Sequence, residues 1–117
     1  MSLSPSEIVD VLRAILGDAG VVADPAEMGA YLNEPRKRFQ VPAVAVALPG
    51  SVPELQAVCR WANEHRVGLI PQGGNTGLVG AQVPLTGDEV IVSLRRLDKV
   101  REVNAAAGHM TLEAGVI

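Results

Sequence analysis

At 117 residues the chain has the size of one ordinary domain, long enough to bury about two thirds of the surface its unfolded form exposes. Ten basic against thirteen acidic residues leave a net charge of −3 with no basic cluster beyond Arg36-Lys37-Arg38, which excludes the electrostatic footprint of a nucleic-acid binder, and a single Cys59 excludes an internal disulfide. No basic stretch followed by an apolar core opens the chain, no apolar run approaches the ~18 residues of a membrane helix, and with one Trp, one Tyr and one Phe the core must be aliphatic.

Three segments open with the same helix-starting arrangement. Ser4-Pro5-Ser6-Glu7, Asp24-Pro25-Ala26-Glu27 and Ser51-Val52-Pro53-Glu54 each put a capping oxygen first and a glutamate at the third helical position, the capping-box pattern. The first predicted helix repeats Ile8, Val11, Leu12 and Ile15 at helical spacing and stops at Gly17 or Gly20; the second is short and ends near Leu32. Asn33 to Gln40 reads as a surface connection, with Arg36-Lys37-Arg38 as a solvated loop.

Val44-Ala45-Val46-Ala47-Leu48 and Val67-Gly68-Leu69-Ile70 are nearly continuous apolar runs, as expected of strands covered on both faces. The third helix lies between them and runs to about Arg66. It makes a right-handed crossover and a parallel pair the expected arrangement. Leu55, Val58, Cys59 and Ala62 share the face that should meet the sheet, so Cys59 reads as a core residue and not a nucleophile. His65 reads as a capping or surface histidine near the helix end. Val90 to Leu94 is a third strand, and Val100 to Val103 with His109 to Ala114 are candidates for an edge pair. His109 enters the last strand without a second histidine or a cysteine nearby to make a metal site.

The most informative segment is Pro71-Gln72-Gly73-Gly74-Asn75-Thr76-Gly77-Leu78-Val79-Gly80, because it follows an apolar strand with a glycine-rich loop. Glycine reaches positive φ without steric cost and has no side chain, so successive N–H groups can turn inward around an anion such as a phosphate or pyrophosphate. A Walker loop needs lysine and then Ser or Thr after its last glycine, whereas Gly77 is followed by Leu78 and Val79. A dinucleotide fingerprint would place its first glycine at Gln72. No helical pattern follows Gly80, since Pro84, Thr86 and Gly87 interrupt it. Two readings stay open on the residues alone: a loop that cradles an anion with its own N–H groups, or a long connection with no ligand.

Three blocks then narrow the choice. Pro49-Gly50-Ser51-Val52-Pro53-Glu54-Leu55, the Pro71 to Gly80 segment, and Leu112-Glu113-Ala114-Gly115-Val116 occur in order and spacing such that Pro42 to Gly115 resembles the N-terminal part of a PCMH-type (vanillyl-alcohol-oxidase-type) FAD-binding domain. The central block is most similar to the branch of D-2-hydroxyglutarate and D-lactate dehydrogenases and the glycolate oxidase flavin subunit. The resemblance implies an α+β fold: a small parallel β-α-β sheet flanked by helices, with a short antiparallel part. Residues 1–40 would form an N-terminal helical segment and 41–117 the first part of the FAD-binding domain.

The resemblance also implies FAD, held through Pro71, Gln72, Gly73, Gly74, Asn75, Thr76, Gly77, Leu78 and Gly80, with Gly115 contributing. Backbone N–H groups from Gly73 through Gly77, aided by the Asn75 and Thr76 side chains, would meet the pyrophosphate. At about 1.5–3 kcal/mol per hydrogen bond to a charged group, two or three suffice without a lysine or arginine in the loop. Some relatives attach flavin covalently through a histidine where this chain has Asn75, so non-covalent binding is expected.

For the parent protein the resemblance implies oxidation of a 2-hydroxy acid of D-lactate, D-2-hydroxyglutarate or glycolate type by hydride transfer to FAD. The substrate-binding and catalytic residues of such enzymes lie C-terminal to the part seen here. No catalytic or metal-binding residue is therefore assigned to this chain, which is expected to be inactive alone. FAD and a small 2-hydroxy acid are the expected partners, a homodimer is left open, and the expected location is cytoplasmic. The alternative is a stand-alone nucleotide- or anion-binding module without redox chemistry. The apolar ending Val116-Ile117, with no cap or polar tail, favours a piece of a larger flavoprotein.

Overall fold

Ser4 opens the first helix as its letters predict. In the computed structural model, which describes residues 2–117, the Ser4 hydroxyl accepts the Glu7 N–H at 3.3 Å and the Glu7 carboxylate accepts the Ser4 N–H at 2.7 Å, opening α1 (Pro5–Leu16). Such a cap contributes about 1 kcal/mol. Gly17 ends the helix at φ 77°. The same letters achieve less at Asp24, whose carboxylate accepts the Ala26 N–H at 2.9 Å. Pro25–Glu27 form a single 3-10 turn there, and the chain becomes α-helical again only in the short α2 (Gly29–Leu32). At the third site Ser51 accepts the Glu54 N–H at 3.3 Å, while the Glu54 carboxylate reaches past Ser51 to the Gly50 N–H at 2.7 Å. This half-box opens α3 (Val52–His65), which Arg66 closes in the left-handed region at φ 54°.

Four strands, β1 (Val21–Val22), β2 (Ala45–Ala47), β3 (Leu69–Gln72) and β4 (Val90–Ser93), form one sheet in the order β1-β2-β4-β3. The last three are parallel and β1 is an antiparallel edge. The expected direct pairing of the first two apolar runs is therefore corrected: β4 lies between them, with Val46 opposite Ile91 on one side and Ile70 opposite Ile91 on the other. The reason lies in Pro71. A residue without an N–H suits an edge strand, and β3 is an edge, partly exposed, while all of β4 is buried. The two-residue β1 is too short to show a pattern in the sequence.

Side chains alternate across the sheet. Ala45, Ala47, Val90 and Val92 face α1 and α3, meeting Ile8, Leu12, Leu16, Val58, Trp61 and Ala62. Val46, Leu48 and Ile91 face the other way and meet Met28 and Tyr31. Each fully buried aliphatic side chain stabilises the fold by about 1.5–3 kcal/mol, so both faces are committed to the core. The α+β architecture is as expected, but Cys59 is exposed. Cys59 and Trp61 flank the Leu55–Val58–Ala62 stripe on opposite sides; α1 lies on the Trp61 side, and the indole, not the thiol, is buried against it.

β5 (Val100–Asn104) and β6 (His109–Leu112) pair antiparallel, as expected, but as a hairpin in its own sheet. A bulge between Val100 and Glu102 shifts the register so that Val100 opposes Leu112 and Val103 opposes Met110, and all four are exposed. Among the described residues no helix is long and apolar enough to cross a membrane.

Candidate functional site around the glycine loop

The glycine loop leaves the sheet at the C-terminal end of β3, beside the ends of β4 and β2, the position where open parallel sheets place their ligands. Its first anchor is Gln72. This side chain is 2 % exposed, and its amide donates to the Tyr31 carbonyl at 2.7 Å and to the Gln82 carbonyl at 2.9 Å. Gln82 in turn donates to the Gly77 carbonyl at 2.7 Å. A Cβ at Gly77 would lie 2.9 Å from the Gln82 amide oxygen, so this glycine serves the close approach of Gln82 and not a positive φ.

Positive φ occurs in the loop at Asn75 (58°) and Gly80 (82°), and not at Gly73, Gly74 or Gly77. Asn75 tolerates it because its side-chain amide donates to the carbonyls of Ala30 at 3.2 Å and Asn33 at 2.5 Å. Those donors are thus committed to the α2 segment, and the buried Asn75 Oδ1 has no partner. Gly80 is buried against the Phe39 ring, which occupies the space a side chain would need.

The stretch expected to be a plain surface connection is more ordered than its letters suggest. Glu34 is 1 % exposed and accepts the Arg36 N–H at 2.9 Å and the Arg38 N–H. Burial pushes its carboxyl up, but the Arg38 and Arg36 amides, the Arg38 charge and the Phe39 amide outweigh this and hold it below the ordinary value. The Arg38 guanidinium lies over the Phe39 ring and donates to the Leu78 carbonyl. Only an acid directly before Pro35 and the basic run hinted at this in the sequence.

Among the described residues none of the N–H groups from Gly73 to Gly77 donates a hydrogen bond, and neither does the Thr76 hydroxyl. The backbone is also open. A Cβ at Gly73 would meet nothing within 4 Å, and one at Gly74 only the Ile117 side chain at 3.7 Å. Pro71, Gly73, Gly74, Thr76 and Leu78 are exposed at this end of the sheet. Gly115 is brought to the same end: its N–H donates to the Leu97 carbonyl at 2.8 Å, and its Cα lies so close to Leu94 that a side chain would overlap that residue's carbonyl. Leu94 itself donates to the Gln72 carbonyl at 2.9 Å. Free N–H groups and room beside the backbone fit a phosphate-bearing ligand.

The opposite end of the sheet offers a contrast. A groove of about 460 Å³ opens there between His65, Arg66, Val67 and Gly68 on one side and Thr86, Asp88 and Glu89 on the other. Its amide cluster is already filled. The Glu89 carboxylate accepts from the Leu85 N–H at 3.1 Å, the Thr86 N–H at 3.0 Å, the Thr86 hydroxyl at 2.7 Å and the Gly87 N–H at 3.0 Å. Burial pushes this carboxyl up, but the Thr86 hydroxyl and the three amides more than offset it, lowering it to about 2.

Residues 43–117 match the family described as FAD binding domain. The chain belongs to that family. FAD is the cofactor of this FAD-binding domain, and the resemblance carried by the three sequence blocks is upheld. The domain is 43% identical over 93 residues to a D-2-hydroxyglutarate dehydrogenase of Xanthomonas citri pv. viticola (strain LMG 965), covering 80% of this chain and 20% of that protein. It is 31% identical over 112 residues to a mitochondrial D-2-hydroxyglutarate dehydrogenase of Arabidopsis thaliana, covering 96% and 20%. The chain thus spans about a fifth of the length of the curated relatives it matches. Its fold is similar to that of part of p-cresol methylhydroxylase, solved with substrate bound, at a TM-score of 0.81 and 23% identity over 95% of this chain and 22% of that one.

Proposed function

We propose that this FAD-binding domain grips the FAD pyrophosphate non-covalently through the backbone N–H groups of Gly73, Gly74, Asn75, Thr76 and Gly77. In this reading Pro71, Gln72, Leu78 and Gly80 shape the loop, and Gly115 brings the last segment against it. The observation that carries it is an amide cluster without an acceptor of its own at the ligand-binding end of a parallel sheet. Residues 41–117 form the first part of the cofactor domain, and 1–40 precede it as a helical segment.

The parent protein oxidises a 2-hydroxy acid, a reading supported by the names of its relatives, D-2-hydroxyglutarate dehydrogenases. Bound FAD supplies the acceptor for the hydride leaving the substrate carbon. This chain's residues orient that acceptor and neutralise the diphosphate with oriented amide dipoles, so the acidic net charge does not oppose binding. For location, a single free cysteine suits a reducing compartment, cytoplasmic or, as in the Arabidopsis relative, mitochondrial.

The test is calorimetric titration of the purified chain with FAD and, in parallel, ADP. Saturable heat with both is expected, because the loop contacts the diphosphate the two share. A folded chain that binds neither would overturn the preformed cradle.

A further inference from the structure

The loop of the cofactor site is held by a segment far from it in sequence, and the contacts form a chain with a buried acid at its root. Glu34, enclosed at 1 % exposure, gathers the Arg36 and Arg38 amides onto its two oxygens and so fixes the path of residues 34–38. That path aims the Arg38 guanidinium at the Leu78 carbonyl and seats Phe39 in the space left by Gly80. One turn earlier, the Ala30 and Asn33 carbonyls take the Asn75 side chain, and the Tyr31 carbonyl takes Gln72. The loop is therefore gripped at Gln72, Asn75, Leu78 and Gly80 from outside, while its N–H groups from Gly73 to Gly77 stay free.

The geometry points to Glu34 as a positioning residue for the cofactor site: through Arg38 and Phe39 it clasps the second half of the glycine loop and holds its N–H groups in the arrangement that receives a diphosphate. This rests on the proposed role of the loop. Glu34 does not itself touch the ligand; it acts by making the competent loop the dominant one. If losing the clasp leaves that arrangement populated about one time in ten, apparent affinity falls about tenfold with no contact to the ligand removed. The lowered Glu34 carboxyl agrees, because an ionised acid is the form that accepts these amides.

The test uses the full 117-residue chain as wild type, Glu34→Gln and Arg38→Ala. Arg38 is exposed, so its truncation leaves the core intact and keeps the idea open to refutation should Glu34→Gln fold poorly. Two quantities are read: 15N order parameters of residues 73–80 without ligand, and affinity for FAD and ADP. In both variants the loop order parameters should fall from about 0.85 toward 0.6 while those of β2 and β4 hold, and both ligands should bind about tenfold more weakly.

Unchanged loop order parameters, or a loosened loop that binds FAD as wild type does, would overturn the clasp as a positioning device. A loosened loop in the variants, with a wild-type chain that binds neither FAD nor ADP, would leave the clasp on the loop standing and overturn the preformed diphosphate cradle of the proposed function.

Discussion

The loop Gly73–Gly77 and the turn Leu85–Gly87 lie at opposite ends of the same parallel strands, and both cluster backbone N–H groups beside glycines. They differ in what fills them. The turn closes around the carboxylate of Glu89, two residues beyond it, whereas among the described residues no carboxylate accepts from the loop's N–H groups. Residues 34–38 repeat the first pattern, with Glu34 serving the Arg36 and Arg38 amides. A chain that twice supplies an internal anion and once omits it separates its structural turns from the loop proposed to bind the cofactor by where it places glutamate. Composition shows only glycine in both.

The comparison breaks most visibly at Gly74. Gly74→Val meets only the Ile117 side chain at ordinary contact distance within the protein, so it should leave the melting curve within a degree or two while lowering FAD affinity by about 100-fold or more, since the new side chain would intrude on the proposed ligand position. Calorimetry beside a thermal melt checks both halves, and unchanged affinity would remove the loop from the cofactor site.

The converse change empties the filled turn. Glu89→Ala leaves the Leu85, Thr86 and Gly87 amides without their acceptor and should cost about 1–2 kcal/mol in urea unfolding, water at this half-exposed turn covering the rest. Added sulfate should then stabilise the variant more than the wild type. Equal response to sulfate would show that clustered amides alone do not attract an anion here.

A smaller effect is expected from pH. The folded Glu89 carboxyl lies at about 2 against an ordinary 4.5, so the native state sheds this proton more readily than the unfolded chain. Its contribution is present above about pH 4.5 and is lost as pH falls toward 2. In wild type, stability measured by urea should decline across that window. Glu89→Gln should flatten the decline by about 1–2 kcal/mol after allowing for solvent screening. An identical slope in both proteins would assign the acid sensitivity elsewhere.

The smallest effect tests backbone against side chain within the loop. Thr76→Val keeps the amide and removes a hydroxyl that bonds nothing in the protein, so FAD affinity should fall by no more than about threefold to fivefold. A loss near that of Gly74→Val would mean that side chains, not oriented amides, carry the binding.

Much of this arrangement could be read from the letters, for identifiable reasons. Ser4 with Glu7 reports its helix start because a cap is a local bond, and the Pro71 to Gly80 segment reports a loop because glycine excludes most alternatives. What stayed hidden depends on distant partners. Whether Cys59 or Trp61 completed the buried face of α3 was decided by α1, more than 40 residues earlier, and nothing in the α3 stripe could show it. The runs that became β2, β3 and β4 are similarly apolar; Pro71 alone marked β3 as an edge, and its position in a glycine segment drew attention to the loop instead. Glu34 among basic residues looked solvated because its partners are its own neighbours' amides, which every residue possesses. At Asn75 the surprise was similar: the side chain expected to face a ligand had its donors taken by Ala30 and Asn33.

The strand order also bears on how the molecule comes into being. Because β4 lies between β2 and β3 yet follows both, neither earlier strand can find its parallel partner until residues 90–93 have been made. The segment 73–89, which contains both amide clusters, is the stretch that must close on itself before β3 can dock. Closing it is a non-local step that slows the search, although lengthening it twofold would add only about 0.6 kcal/mol. On a ribosome the three parallel strands would assemble only once Ser93 had emerged, and the same event would bring the glycine loop to its place at the sheet's edge.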